Sequence, residues 1–172
     1  MLSTMEIPKG AKVIESIFYP HLNQQKIRHS QSRFKVVVAG RRFGKTVFAI
    51  NELINNALIY PNTRNWYIAP TYRQAKEIAW KMLFYYLPEE FISKKNEVEL
   101  SVDLIQGSTI TLKGADTPDS LRGVGLNYTV LDEYAQMKVE VWDEIIRPML
   151  IDSKGKALFI GTPQGYNHFW KL

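Results

Sequence analysis

The feature that most constrains this chain is a run of β-branched residues that ends in a glycine-bearing loop and restarts at once as an apolar helix. Phe34–Ala39 (FKVVVA) is continuously apolar towards its end, as strands covered on both faces are. Lys45 to about Tyr60 carries Val47, Ile50, Leu53, Ile54, Ala57 and Leu58 at three-and-four spacing and stops at Pro61-Asn62, so it reads as a helix. Between them stands Ala39-Gly40-Arg41-Arg42-Phe43-Gly44-Lys45-Thr46, which fits the phosphate-binding pattern G-x-x-x-x-G-K-[ST] except that Ala39 occupies the place of the first glycine. A Gly-Lys-Ser/Thr tripeptide alone arises in about one chain in ten of this length. The strand before it and the helix after it are what give it chemical meaning. In that setting Gly44 lets successive backbone N–H groups turn inward around phosphate oxygens at a helix amino terminus. Lys45 reaches the β and γ phosphates and Thr46 offers a hydroxyl to Mg²⁺, with Gly40, Arg41, Arg42 and Phe43 completing the loop. An alanine at 39 with negative φ fits such a loop, because Gly40 follows it.

The remainder of the chain repeats the alternation. Asn65–Ala69 (NWYIA), Tyr128–Leu131 (YTVL) and Ala157–Gly161 (ALFIG) read as buried strands, and Tyr72 to Leu87 and Val139 to Leu150 as helices. Val98 to Ile105 and Ser108 to Lys113 alternate around Gln106-Gly107-Ser108, the pattern of an antiparallel hairpin at a sheet edge. The segment from about Gly10 to Ser30 has helical spacing around Val13, Ile14, Ile17 and Phe18, broken at Pro20. Strands alternating with helices predict an α/β fold, a mostly parallel sheet with helices on both faces and ligands at the carboxyl ends of its strands. With 172 residues and no linker or repeat, one domain over 1–172 is expected, its amino-terminal segment about 1–33 and its core about 34–172. The absence of cysteine excludes disulfides, thiolate metal sites and a cysteine nucleophile. A net charge of +5 suits a polyanionic partner. Nowhere do eighteen apolar residues run together, and Glu6, Pro8 and Lys9 interrupt the amino terminus, so neither membrane insertion nor secretion is indicated.

Tyr128–Leu131 runs straight into Asp132 and Glu133, the arrangement of a magnesium-organising strand in nucleoside triphosphatases. Asp132 is placed in the metal shell and Glu133 as the base that polarises an attacking water, which favours hydrolysis over a kinase that positions a substrate hydroxyl. With the phosphate loop, this predicts a P-loop NTPase of the ASCE/RecA-like class that binds ATP and Mg²⁺. Charge developing on a γ-phosphoryl group needs a positioned cation, and Arg41, within the loop, and Arg122, in Ser120-Leu121-Arg122-Gly123, are the candidates. Thr162, in Gly161-Thr162-Pro163-Gln164-Gly165, ends a strand next to the nucleotide and is placed as the residue that senses the γ-phosphate. Gln24 or Gln25 offers an amide to an adenine edge.

Read in order, Pro20–Gln24, AGRRFGKT, IAPTYRQAK at Ile68–Lys76, SLRG, VLDE and GTPQG resemble the ATPase half of a phage large terminase, over roughly residues 18–172. The resemblance implies ATP hydrolysis that drives double-stranded viral DNA into a preformed capsid. It implies a ring of copies on the portal, monomeric in isolation, with the small terminase subunit as a further partner and the host cytoplasm as location. By the same resemblance Gln24 matches an adenine-contacting glutamine, Arg41 the P-loop arginine, and Lys45 and Thr46 the phosphate and magnesium residues. Asp132 and Glu133 match the metal and catalytic carboxylates, Arg122 an arginine finger reaching a neighbouring subunit, and Thr162 the motif that couples hydrolysis to movement. Large terminases continue into a ribonuclease-H-like nuclease. This chain stops at Leu172 without the acidic residues of such a site, so nuclease activity is expected to be absent and Phe169–Leu172 reads as an interrupted helix. Two other functions fit the same motifs: one lobe of a helicase-like ATPase, and a nucleotide-dependent DNA-binding or assembly module with little hydrolysis.

Overall fold

The computed structural model describes residues 17–172. Seven strands form one sheet: β1 Phe34–Val38, β2 Arg64–Ala69, β3 Ile92–Asn96, β4 Ser101–Leu104, β5 Thr109–Gly114, β6 Tyr128–Asp132 and β7 Lys156–Gly161, in the order β1-β7-β6-β2-β5-β4-β3. The pairings from β1 through β5 are parallel, and β4 and β3 add an antiparallel edge. This is the expected α/β architecture. Strand alternation sends successive side chains to opposite faces. Tyr67, Val130, Leu158 and Ile160 join α2 (Lys45–Ile59) and the helix over 72–86 in one core. Trp66, Ile68, Leu131 and Phe159 join the helix around Val141–Ile146 in the other. Because both faces are covered, β2, β6 and β7 carry unbroken apolar runs at Trp66–Ala69, Val130–Leu131 and Ala157–Ile160, each fully buried Ile, Leu or Phe contributing about 1.5–3 kcal/mol.

Several expectations require correction. β1 is the end strand of the sheet rather than one covered on both faces: Val37 enters the core, but Val36 and Val38 stay 41% and 50% exposed. Within the described residues the amino-terminal helix is α1, Leu22–His29, which follows Pro20 instead of ending there; Val13 and Ile14 lie outside the described residues. β3 was not anticipated, and it rather than the hairpin forms the far edge. The helix over 72–86 is π-wound at Ala75–Trp80, as is the later helix at Val141–Ile146. Residues 168–171 form turns, not a helix. Among the described residues no helix is long and apolar enough to cross a membrane.

A tight approach closes the sheet's amino end. A Cβ on Gly155 would lie 2.6 Å from the Leu126 carbonyl oxygen, 2.6 Å from Leu150 Cδ2 and 2.8 Å from the Asn127 carbonyl oxygen. Backbone oxygens cannot turn aside as a side-chain tip can. Gly155→Ala is therefore expected to destabilise the fold by about 1–3 kcal/mol, read as a lowered denaturation midpoint at unchanged m-value.

The parallel register is what positions the site. Val38 stands opposite Gly161, Ile160 opposite Asp132, and Leu131 opposite Ile68. The loops leaving β1, β7, β6 and β2 therefore emerge together at the carboxyl end of the sheet, where such folds hold their ligands.

Candidate functional site

The loop between β1 and α2 is built from the backbone outward. Ala39 N–H donates to the Gly161 carbonyl at 3.2 Å, extending the β1–β7 ladder, and φ at Ala39 is not positive, so a side chain is accepted there. The turn places its left-handed residues later, at Arg42 (φ 68°) and Gly44 (φ 78°). Gly44 caps α2 and accepts from the Phe48 N–H at 2.9 Å. Its missing side chain also leaves room for Gln24, whose Nε2 would sit 3.1 Å from a Cβ at that position. The loop thus presents the amino end of a 15-residue helix, with its partial positive charge.

Lys45 is only 8% exposed. Its ammonium donates to the carbonyls of Ala39 (2.8 Å) and Gly40 (3.2 Å) and to Thr162 Oγ1 (3.3 Å), so all three of its protons are directed into the loop and the tip of β7. Thr46 Oγ1 donates to Asp132 Oδ2 at 3.2 Å. The phosphate loop and the acidic strand end, 86 positions apart in sequence, therefore meet side by side.

Asp132 is buried at 7% exposure. Its Oδ2 receives a second hydroxyl, that of Tyr67, from the neighbouring strand β2, whereas its Oδ1 is buried without any hydrogen-bond partner. Burial pushes the Asp132 carboxyl above the usual carboxylate range; the Tyr67 hydrogen bond opposes this, Glu133 adds to it and the Thr46 hydrogen bond opposes it again. Burial, with the Asp132 charge behind it, pushes the Tyr67 phenol well above its ordinary value, so Tyr67 is the donor in this pair. A hard carboxylate oxygen lacking a donor, next to a threonine hydroxyl, is the donor set that suits Mg²⁺, which takes one or two protein oxygens and fills its octahedron with water and phosphate. The residues present fit that ion.

Glu133 follows in the left-handed conformation, φ 48° and ψ 45°, at a cost of about 1–2 kcal/mol for a residue with a side chain. The turn starts Tyr134–Gln136 and brings the carboxylate to Thr162: Oε2 accepts from the Thr162 N–H at 3.2 Å and Oε1 from its hydroxyl at 3.4 Å. Thr162 Oγ1 is thus shared between Lys45 and Glu133, joining the cationic and acidic halves of the site.

The other candidates are placed differently. Gln24 is 3% exposed, and its amide is engaged with the loop: Nε2 donates to the carbonyls of Phe43 (3.1 Å) and Gly44 (3.4 Å), and Oε1 accepts from the His21 N–H (3.2 Å). Gln25 instead donates to the Pro20 carbonyl at 2.8 Å. Phe43 packs edge-on against His21. Arg41 and Arg42 are exposed on the loop. Arg122 lies outside this cluster, half-exposed in the loop after β5, where its Nε meets Asp119 at 3.4 Å. Tyr67 was missed by sequence reasoning. The apolar run of β2 shows that residue 67 is buried, but only the cross-strand register, Tyr67 opposite Val130, puts its hydroxyl two residues ahead at Asp132.

A profile described as "Terminase large subunit, T4likevirus-type, N-terminal" matches residues 36–171. The terminase large subunit of Thermus virus P23-45 is 32% identical over 181 residues, covering 94% of this chain and 37% of that protein. The one of Escherichia phage T5 is 30% identical over 141 residues, covering 80% and 32%. This chain therefore spans about a third of the length of these relatives. Among solved structures, the large terminase ATPase domain of Thermus phage P74-26 superposes with a TM-score of 0.81 at 30% identity, over 90% of this chain and 69% of that one. The fold is accordingly that of a P-loop NTPase, and the chain belongs to the terminase large-subunit family.

Proposed function

We propose that this chain hydrolyses ATP and that, as the motor domain of a large terminase, it uses the energy to move double-stranded DNA into a viral procapsid. The observation that carries the reading is the contact between Thr46 and Asp132, with Lys45, Thr162 and Glu133 linked alongside. In this reading residues 40–46 wrap the phosphates with backbone N–H groups, and Lys45 exchanges its carbonyl partners for β- and γ-phosphate oxygens. Gln24 holds the loop and lies on the side of the nucleotide base. Thr46 and Asp132 would hold Mg²⁺, which when bound neutralises phosphate charge. Glu133 orients a water for in-line attack and takes its proton, and Arg122 or Arg41 meets the charge that develops on the γ-phosphoryl group. Thr162, bonded to both Lys45 and Glu133, passes the loss of the γ-phosphate on to the body of the domain. The partners under this proposal are double-stranded DNA, the portal, the small terminase subunit and further copies of this chain in a ring, within the host cytoplasm.

Because Arg122 stands apart from the cluster, it is assigned to the neighbouring subunit's site. Phosphate release from ATP is then expected to require Mg²⁺, to be slow in dilute solution and to rise in specific activity with protein concentration. Arg122→Ala should remove that rise, by about 10³-fold at saturation. A specific activity that stays flat from dilute to concentrated assigns the charge to Arg41 of the same chain. No Mg²⁺-dependent phosphate release at any concentration would sink the reading itself.

A further inference from the structure

The carboxylate of Asp132 is held asymmetrically. Oδ2 accepts two hydroxyls, one from Thr46 of the phosphate loop and one from Tyr67 in the middle of β2, and Oδ1 accepts none. Tyr67 is 2% exposed, and its ring belongs to the core beneath α2, so its position is set by packing on every side. Val130, Leu158 and Ile160 fill the same layer with purely apolar side chains. Packing alone therefore does not call for a hydroxyl in this layer. What the hydroxyl changes is Asp132: the torsion that turns a carboxylate is broad and two-fold, and a fixed donor on one oxygen selects one orientation.

We propose that Tyr67 is a positioning residue for the metal half of the site, pinning Asp132 Oδ2 so that Oδ1 is the oxygen offered to the coordination shell of a divalent cation. The inference rests on the nucleotide-hydrolysis reading above. Thr46 stands in the first turn of α2, next to the loop, whereas Tyr67 belongs to the sheet. Tyr67 therefore supplies a reference point for Asp132 that does not depend on how the loop responds to nucleotide. Groups that orient a metal ligand from behind are worth about 10–100-fold in metal affinity.

The test compares the parental full chain with Tyr67→Phe, which keeps the ring and removes one oxygen. Binding of a fluorescent ATP analogue is titrated in chelator and then against Mg²⁺, and Mn²⁺ binding is followed by its electron paramagnetic resonance signal. Affinity without divalent ion is expected to stay within about twofold, while the half-saturating Mg²⁺ and Mn²⁺ concentrations rise by about tenfold. Asp132→Asn should abolish the divalent response, and Tyr67→Phe added to it should change nothing more, as two residues acting through one contact require. Unchanged half-saturation, or an equal loss with and without divalent ion, would overturn the proposal. So would a Phe variant that fails to fold in metal-free buffer, since the phenol would then serve the core. A parental chain whose nucleotide binding ignores Mg²⁺ would refute the underlying reading, which separates that failure from this one.

Discussion

Replacing Glu133 by glutamine is expected to lower the single-turnover rate of ATP hydrolysis by about 10³-fold while leaving ATP affinity within about threefold of the parental value. Gln has the same length and the amide still accepts one of the two hydrogen bonds that Thr162 gives the carboxylate, so the left-handed turn at 133 has no reason to relax. What is lost is the capacity to take a proton from the attacking water, and a positioned base contributes about 10²–10⁴-fold. Binding survives because Lys45, Thr46 and the loop N–H groups carry it and none touches Glu133 directly; the link runs through Thr162. Rapid-quench phosphate release and fluorescent-nucleotide titration on one preparation read both quantities. Hydrolysis at the parental rate would remove Glu133 from the role of base and shift attention to Asp132, the other carboxylate of the pair.

How far the sequence discloses this molecule depends on whether a feature is encoded locally. Lys45 and Thr46 are legible because the Gly-Lys-Thr run is fixed between a strand and a helix, and Asp132 and Glu133 because they end β6, a strand buried on both faces, the clearest apolar signal a chain carries. β1 shows the limit. FKVVVA has the composition of a central strand, yet its single neighbour is β7, and nothing within those six residues reports how many neighbours a strand will have. β3 fails in the opposite sense: Ser93, Lys94 and Lys95 are exposed, so a real strand lacks the apolar alternation that would reveal it. Tyr67 is the instructive case for the site. Its role arises only when β2 and β6 pair in parallel with Tyr67 opposite Val130, and a shift of one residue would turn the hydroxyl to the other face. Gln24, by contrast, is picked out only through the family resemblance, since its contact with the loop spans 19 residues and a single glutamine has no pattern of its own.

The second large effect concerns Lys45. Lys45→Ala is expected to weaken ATP binding by about 10²-fold and to make hydrolysis undetectable, with the fold retained. The ammonium is nearly buried, so its charge acts across a medium of lower dielectric than water, and each hydrogen bond from a charged donor is worth about 1.5–3 kcal/mol. Losing one such contact to a phosphate oxygen corresponds to roughly 10–100-fold in affinity. The rate falls further, because charge grows on the γ-phosphoryl oxygens as the bond breaks, and a cation fixed beforehand stabilises that growth more than it stabilises bound ATP. The fold tolerates the change because the carbonyls of Ala39 and Gly40 lie at the sheet's open end, where water can replace the lost donor. Lys45→Arg is expected not to rescue. A planar guanidinium cannot direct three donors to Ala39, Gly40 and Thr162 from the end of one stem, so it would either displace Thr162 from Glu133 or leave the phosphates unmet. Calorimetric titration with ATP, alongside a thermal melt to verify folding, decides it. An alanine variant that binds ATP within about threefold of the parental chain would mean that the loop after β1 is an ordinary turn, and that the cluster at the sheet's carboxyl end holds the strands together instead of holding a nucleotide.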